Sequence, residues 1–402
     1  MKILDIVSHL GGGLGTVVLN LVSHSDNHAI SCLDYANEKA KKICDDNYIW
    51  LFDNESKDRK HCYEMIAEAD IVLVHWYNHQ MLKELFSKPV PDCRLVFWCH
   101  ANQPTTPNIL AYPDRFIDVS PIQGRGEYIW STGDMARFRE IQPIKHKGFN
   151  IGYVGTVDLK KIHRSWLLMH HHTGLAIPSS RYTIVGEDHL SDLIRKPVVL
   201  DTSRYRFVGK VDDVAPYLAE MDVFGYPLRA DHYGTCEQVL GEAMSAGVVP
   251  VVLNNPSERY IIDDDFNGVI TTCDEYALTI EALYHDKSSM ARLSENAKKS
   301  AFNTYSVDTM IKKWNIEFVF EMLVPKIERK WSWSGSEIFK ESLGIHKNIF
   351  EGNDRMRIVD AYRKFSQFNS ESKGSIRQYA HVFPEDKQLK EWLEILNNVY
   401  KK

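Results

Sequence analysis

The sequence predicts an α/β protein of two doubly wound parallel-sheet domains facing a cleft, with a C-terminal helical appendage, and three observations predict it. The chain opens as strand, glycine turn and helix: Met1 to Val7 saturates with apolar residues, Gly11, Gly12, Gly13 and Gly15 follow, and Thr16 to Val22 is an apolar helix. The same order restarts at Ile151 with IGYVGTV, after a segment from Phe138 to Asn150 in which periodicity is lost and Pro143 and Gly148 intervene. The stretch Tyr233 to Ile270 then reads as helix, turn, strand and loop. Glu242, Ala243, Met244 and Ala246 favour the helix, with Glu242 as a carboxylate at its start; Gly247 stops it, and Val248 to Leu253 is a β-branched run broken only by Pro250. These boundaries predict domains over 1–145 and 146–310, and a crossing helix with a helical tail over 311–402.

The totals bound the function. A chain of 402 residues holds two or three domains and a large core, and 44% hydrophobic with 25% charged residues excludes a disordered chain. The net charge of −6 supplies no overall attraction to nucleic acid or acidic lipid, which weighs against a DNA substrate. The seven cysteines, Cys32, Cys44, Cys62, Cys93, Cys99, Cys236 and Cys273, are odd in number and form no Cys-x-x-Cys pair, which fits a reducing, cytoplasmic setting. MKILDIVSHLGGG runs directly into a glycine turn rather than a cleavage site, so it reads as a first strand and not a signal peptide. No apolar stretch is long enough to span a bilayer, so any membrane contact is expected to be peripheral.

In the first half, the glycine turn exposes backbone N–H groups at a helix N-terminus, where the dipole favours a phosphate. The spacing G-x-G-x-x-G is absent and no acidic residue is placed for an adenosine ribose, which argues against a nicotinamide dehydrogenase. Ala69 to Val74 is a strand, and HWYNH follows at its carboxyl end, where doubly wound sheets bind ligands. Its aromatic faces and imidazoles suit a polyol, which makes His75, Trp76 and His79 the candidate acceptor contacts, against the alternative that they cover the sheet edge. Arg94 to Cys99 is the next strand and ends at His100; Ala101 to Pro113 reads as a loop, and Phe116 to Val119 as a short strand.

In the second half, Asp158, Lys160, Lys161 and His163 follow the strand and precede a helix from Ser165 to His172. Lysines at a helix start oppose the dipole unless an anion is bound there. His170, His171 and His172 point about 100° apart on a helix and cannot converge on one metal ion. Strands at Arg181 to Gly186 and Arg206 to Gly209, a helix from Val214 to Met221 and the strand DVFGYP complete the pattern, and Asp263, Asp264 and Asp265 form a solvated turn. Tyr276 to His285, Ser288 to Asn303 and Val307 to Leu323 read as helices. In the tail, Leu389, Trp392, Leu393, Leu396 and Val399 share one helical face that needs a partner surface, most simply a core of the tail's own.

This order of elements resembles the nucleotide-sugar site of retaining glycosyltransferases of the two-Rossmann GT-B fold, in particular glycosyltransferase family four (glycosyl transferases group 1). In that family a Glu is followed, after seven residues, by a second Glu in a Glu-Ala-Met helix, then a small-Gly turn, a Val-rich strand and Pro-x-Glu before a Gly. Glu242, Gly247, Val251, Pro256, Glu258 and Gly268 match. The resemblance covers roughly residues 1 to 320 and is strongest from 150 to 270. Two positions depart from it: Gly234 stands where the first Glu belongs, with Glu237 the nearest carboxylate, and Thr156 follows Gly155 where the family has Arg.

The resemblance implies a role for each match. Gly12, Gly13 and Gly15 would lie over the donor diphosphate, and His100 would touch the donor hexose. Lys161, with Lys160 or Arg164 as a substitute and Thr156 beside it, would neutralise the leaving diphosphate. Gly209, Lys210 and Val211 would meet the nucleotide base, Glu242 the ribose, and Glu258 the loop or diphosphate end. The sugar-facing role of the missing Glu would fall to Glu237 or to the backbone of Gly234, Thr235 and Cys236. His100, Lys161 and Glu242 are thus the expected catalytic residues, with no metal and no cofactor.

The expected function is metal-independent, retaining transfer from a nucleoside-diphosphate sugar, UDP- or GDP-linked, to a hydroxyl acceptor such as a glycan, glycolipid or polysaccharide precursor. The alternatives left open are a nucleotide-sugar epimerase or hydrolase, a non-catalytic nucleotide-sugar binding module, and a transferase acting on modified DNA bases.

Overall fold

The computed structural model describes residues 1–77, 79–86, 88–100, 113–123, 126–133, 135–159, 161–187, 201–230, 232, 234, 237–329, 336–337, 358–359 and 376–399. Contacts divide the chain into two compact units, Met1–Ile129 with Val307–Lys402, and Trp130–Ser306.

The first unit is built on strands β1 (Ile3–Val7), β2 (His28–Cys32), β3 (Trp50–Phe52), β4 (Ile71–Trp76), β6 (Leu95–Cys99) and β7 (Arg115–Asp118), with β5 (Val90–Cys93) outside this sheet. They lie in the order β3-β2-β1-β4-β6-β7, every neighbouring pair parallel. Parallel strands are covered on both faces, so they need apolar residues at consecutive positions rather than alternate ones. ILDIV, IVLVHW and LVFWC meet that need and are buried at every residue. The covering helices start where short polar side chains satisfy their first N–H groups: Asn37 accepts from Ala40 N at 2.8 Å, and Asp58 from His61 N at 3.1 Å.

The second unit repeats the plan. Strands β8 (Phe149–Val154), β9 (Ser180–Val185), β10 (Tyr205–Gly209), β11 (Val223–Tyr226), β12 (Val249–Leu253) and β13 (Val269–Thr271) take the order β10-β9-β8-β11-β12-β13, again all parallel. In both sheets the winding direction reverses once, between β1 and β4 and between β8 and β11. Strand order of this kind opens a crevice beyond the carboxyl ends of the two strands at the reversal.

Several elements differ from their expected bounds, the first helix starting at Gly12 rather than Thr16 and the helix after Ser165 running to Ala176 rather than His172. Strand β4 runs to Trp76 rather than Val74, because Trp76 pairs with Cys99 of β6. The helix around Glu242 spans Gln238–Ser245, so Glu242 sits within it rather than at its start. The helix expected from Val214 to Met221 is one turn, Ala215–Leu218.

The tail packs into the first unit. Its helices Ile376–Val382 and Lys387–Val399 bring Tyr379, Leu389, Trp392 and Leu396 into one buried cluster with Trp76, Leu85, Phe86 and Phe97. Lys83, fully buried, lies 4.5 Å from the Tyr379 ring centroid, a cation–π contact that answers its charge. A third strand pair, β14 (Ile327–Arg329) antiparallel to β5, also ties the return of the chain to this unit. The apolar face of the last helix therefore finds its partner in the first sheet's core, not in a core of its own. Among the described residues no helix is long and apolar enough to cross a membrane.

Because Trp392 is fully buried in that shared cluster, Trp392→Ala is expected to destabilise the first unit by about 3–5 kcal/mol. Denaturant unfolding followed by tryptophan fluorescence checks this. An unchanged midpoint would show that the tail adds nothing to the first unit's core.

Candidate active site

The reversal point of the second sheet holds a buried network of charged groups. Lys161 lies in the turn that follows β8, and Tyr226 ends β11, the neighbouring strand. Between them stands Glu237. Its carboxylate receives the Tyr226 hydroxyl hydrogen bond and pairs with Lys161 Nζ at 3.3 Å, and the ammonium also lies 5.3 Å from the Tyr226 ring centroid. Burial pushes the Glu237 carboxyl upward, but Lys161, then His232 and Tyr226, outweigh it and hold it below its ordinary value. Burial, followed by the adjacent Glu237 charge, pushes the Tyr226 phenol well above its own, so it remains a donor.

Glu237 reaches this place by an unusual backbone route. Its φ is +39° and ψ 55°, left-handed, at the position that immediately precedes the helix Gln238–Ser245. That turn sends the carboxylate back toward Gly234, where a Cβ would collide with it. Gly234 is thus the residue that makes room for Glu237: the first carboxylate of the expected pattern is absent at position 234, and the Glu237 carboxylate occupies the volume beside it.

A second layer fixes the loop. Gly234 N donates to His232 Nδ1 at 2.9 Å, so the ring proton is on Nε2, which lies 3.0 Å from Glu258 Oε1 and 2.7 Å from Ser257 Oγ. Ser257 Oγ donates to the other Glu258 oxygen at 2.8 Å. Glu258 is fully buried and serves as the anchor of this loop. Tyr226 and His232 were absent from the expected site. The sequence signals for them were a tyrosine closing an apolar strand and a histidine two residues before Gly234.

The other expected donor contacts are placed as follows. Thr156 O accepts from the Tyr153 hydroxyl at 2.9 Å. Gly209 has φ +83° at the end of β10 and open space where a Cβ would stand, with Lys210 and Val211 after it. Lys160, Thr235 and Cys236 lie outside the described residues. Glu242 is half-buried, and its electrostatic neighbours are Arg137 and Asp213, themselves an ion pair at 3.3 Å. Burial pushes its carboxyl up to about 7, opposed by Arg137 and assisted by Asp213.

The reversal point of the first sheet carries a second polar cluster. Gly12 and Gly13 open the helix Gly12–Ser23 with nothing within 4 Å of where a Cβ would stand, whereas Gly15 lets the helix pass the backbone of Leu10, 3.0 Å from that position. Of the acceptor candidates, His79 stays half-buried beside His9 and Tyr77, with ring centroids 6.0 and 5.6 Å apart. His75 and Trp76 turn inward, because both belong to β4. His75 is fully buried and bonded to Asp5, and Trp76 stacks on Phe97 at 5.5 Å in the core. The residues that do cluster there are Ser8, His9, Tyr35 and Tyr77: the Tyr77 hydroxyl meets Ser8 Oγ and lies 2.7 Å from His9 Nδ1, and His9 stacks on Tyr35 at 5.5 Å. His100 follows β6, half-buried, with Nε2 3.3 Å from His75 Nδ1. Burial, then His75, pushes its imidazole well below the ordinary histidine value, so the ring is neutral.

Among the described residues no three His, Cys, Asp or Glu side chains are grouped as a metal site needs.

Two Rossmann-like units, one with a lysine and two buried glutamates beside its sheet, give the chain the GT-B fold. Residues 134–300, which carry Lys161, Glu237, Glu242 and Glu258, match the family model described as glycosyl transferases group 1. Comparison with curated protein sequences finds no match. Among solved structures, HepE of Anabaena in complex with UDP and glucose superposes with a TM-score of 0.61 at 15% identity, over 79% of this chain and 99% of that one. A glycosyltransferase of avilamycin A biosynthesis, AviGT4, gives 0.57 at 14% identity over 82% and 100%. The sucrose-phosphate synthase of Thermosynechococcus elongatus gives 0.58 at 13% identity over 80% and 99%. At such identities the likeness is one of fold.

Glu242 holds its proton to higher pH in the folded protein than in the unfolded chain. As the pH rises from about 4.5 to about 7, the unfolded chain releases the proton first, so this group subtracts stability across that window and no further above it. Glu242→Gln is therefore expected to match the wild type at pH 4 and to exceed it at pH 8 by on the order of 3 kcal/mol. Urea unfolding at the two pH values checks this; equal differences at both would contradict it.

Proposed function

We propose that the protein transfers a sugar from a nucleoside-diphosphate sugar to a hydroxyl acceptor, with retention and without a metal ion. The observation that carries this reading is the Lys161–Glu237 pair at the reversal point of the second sheet, 3.3 Å apart and largely shielded from water. An ammonium placed there beside a buried carboxylate is worth more against a developing charge than it would be in bulk water. HepE, of the same fold, was crystallised with UDP-glucose as well as with UDP and glucose, which supports a UDP-linked donor.

In this reading the bond from the anomeric carbon to the diphosphate oxygen breaks as the acceptor oxygen approaches on the same face. The acceptor proton passes to the departing phosphate oxygen, and the products are the glycoside and the nucleoside diphosphate. Lys161 stabilises the leaving charge and Glu242 holds the ribose. Glu237 keeps Lys161 in place, while Glu258 and His232 hold the loop that carries Gly234. The acceptor is a glycan, glycolipid or polysaccharide precursor, received near His79.

Thermal stabilisation by UDP, GDP, ADP and TDP sugars, with and without EDTA, tests the donor. A shift with UDP sugars that ignores EDTA is expected; no shift with any donor would sink the proposal. Lys161→Ala should lose about 10²–10³-fold in transfer rate; because it leaves the Glu237 carboxylate buried without its cation, the double variant Lys161→Ala/Glu237→Gln, which should lose transfer equally, separates the lost ammonium from lost stability. The anomeric configuration of the product, read by NMR, distinguishes retention from inversion.

A further inference from the structure

Tyr226 closes β11, a strand buried at every position. Its ring packs among aromatic neighbours on the sheet, with centroids 5.5 Å from Tyr153 and 5.2 Å from Phe224. A phenylalanine would fill the same space, and a hydroxyl taken out of water there needs a partner that an apolar residue would not. The partner is a charge rather than a backbone carbonyl: the hydroxyl donates to Oε2 of Glu237, and Lys161 Nζ lies 3.3 Å from that same oxygen. The ammonium also lies 5.3 Å from the centroid of the Tyr226 ring. Tyr226 therefore acts on Lys161 twice, through the carboxylate oxygen that both approach and through its ring.

The other oxygen is not tied in this way. His232 Nδ1 is 3.7 Å from Glu237 Oε1, but it accepts from Gly234 N at 2.9 Å and so does not donate to the carboxylate. An ion pair sets a distance; a hydrogen bond from a phenol fixed by packing sets a direction as well. Without that hydroxyl the carboxylate turns about its terminal torsion, which has broad wells, and an ammonium on a flexible stem follows it. Burial opposes the Glu237 charge, while Lys161, His232 and Tyr226 hold its carboxyl below the ordinary value. Behind Tyr226 stand Tyr153 and Glu258, which act on the phenol together with Glu237. Removing the phenol hydroxyl takes away a donor to the ionised form, so the Glu237 carboxyl moves up.

We propose that Tyr226 is a positioning residue for the transfer, holding Glu237 Oε2 so that the Lys161 ammonium stands at one place beside the end of β11. That this ammonium acts on a leaving diphosphate rests on the transferase reading above. Stabilisation of a transition state depends on the donor standing where charge develops, not merely near it. An ammonium that drifts with its carboxylate therefore costs rate more than it costs donor affinity.

Tyr226→Phe removes the hydroxyl and keeps the ring. In the transfer assay it is expected to lose about tenfold to a hundredfold in kcat, the range of one hydrogen bond to a charged group, with a smaller change in donor KM, and the acid limb of kcat against pH should move to higher pH. A tyrosine that only fills the core would leave the kcat of the folded variant and its pH profile in place. Because the hydroxyl acts through Glu237, adding Tyr226→Phe to Glu237→Ala should cost little further kcat. A second readout needs no turnover. Carbon-13 NMR of the full chain with glutamate labelled at Cδ, with the Glu237 signal assigned by its loss in Glu237→Gln, should show Glu237 taking its proton at higher pH in Tyr226→Phe than in the wild type. An unmoved Glu237 titration, or an equal loss of kcat with and without the Glu237 side chain, overturns the proposal. A raised titration with no transfer by the wild type from any donor would uphold the hold of Tyr226 on Glu237 and refute the transferase reading; normal transfer by Tyr226→Phe would uphold the transferase reading and overturn the role of Tyr226.

Discussion

A carboxylate taken out of water must be met by cations and donors, and this requirement organises the centre of both units. In the second unit the carboxylate is Glu237, met by Lys161 and Tyr226. In the first it is Asp5, met by His28 and His75. Each group of partners is drawn from several segments: β1, β2 and β4 in one case, and the turn after β8, the end of β11 and the loop before the helix Gln238–Ser245 in the other. Such a network cannot form until the sheet has its strands in order, and once formed it holds those segments at fixed distances.

The strand order explains why these networks stand where they do. In a sheet that winds one way and then the other, adjacent connections leave the two strands at the reversal in opposite directions, so nothing covers the carboxyl ends of that pair. β8 and β11 are such a pair, as are β1 and β4. Polar side chains at these strand ends lie beside a crevice rather than beneath a helix, and their charge is of use there. The same geometry lets a glycine turn present its amides: Gly12 and Gly13 have open space on their Cβ side, while Gly15, one turn into the helix, is already in contact with Leu10.

Much of the fold was legible because doubly covered parallel strands have to be apolar without interruption, and the glycine turns and polar caps between them punctuate the sequence. The elements misjudged were those where this signal failed. His75 and Trp76 did not look like strand residues, so β4 was expected to end too early and two side chains that point inward were assigned to an acceptor. Asp5 was hidden for the opposite reason: a single acid inside ILDIV does not interrupt an apolar run, and its partners lie 23 and 70 residues away in the chain. The family resemblance supplied Lys161, Glu242 and Glu258 by spacing alone. Tyr226 and His232 match no spacing rule, and only folding brings them to Glu237.

Gly234 shows how a departure from a motif can be a change of route rather than a loss. At the position eight residues before Glu242 a Cβ would overlap the Glu237 carboxylate, whose own backbone is left-handed at φ +39°. A non-glycine residue in that conformation costs on the order of 1–3 kcal/mol, and the contacts that offset it are the Lys161 ion pair and the Tyr226 hydrogen bond. The two features depend on each other. A side chain larger than hydrogen at 234 would displace the Glu237 carboxylate, and Lys161 would then lose its ion pair beside the end of β11. The glycine, the strained glutamate and the lysine are therefore one device, and a substitution at any of the three is felt at the ammonium.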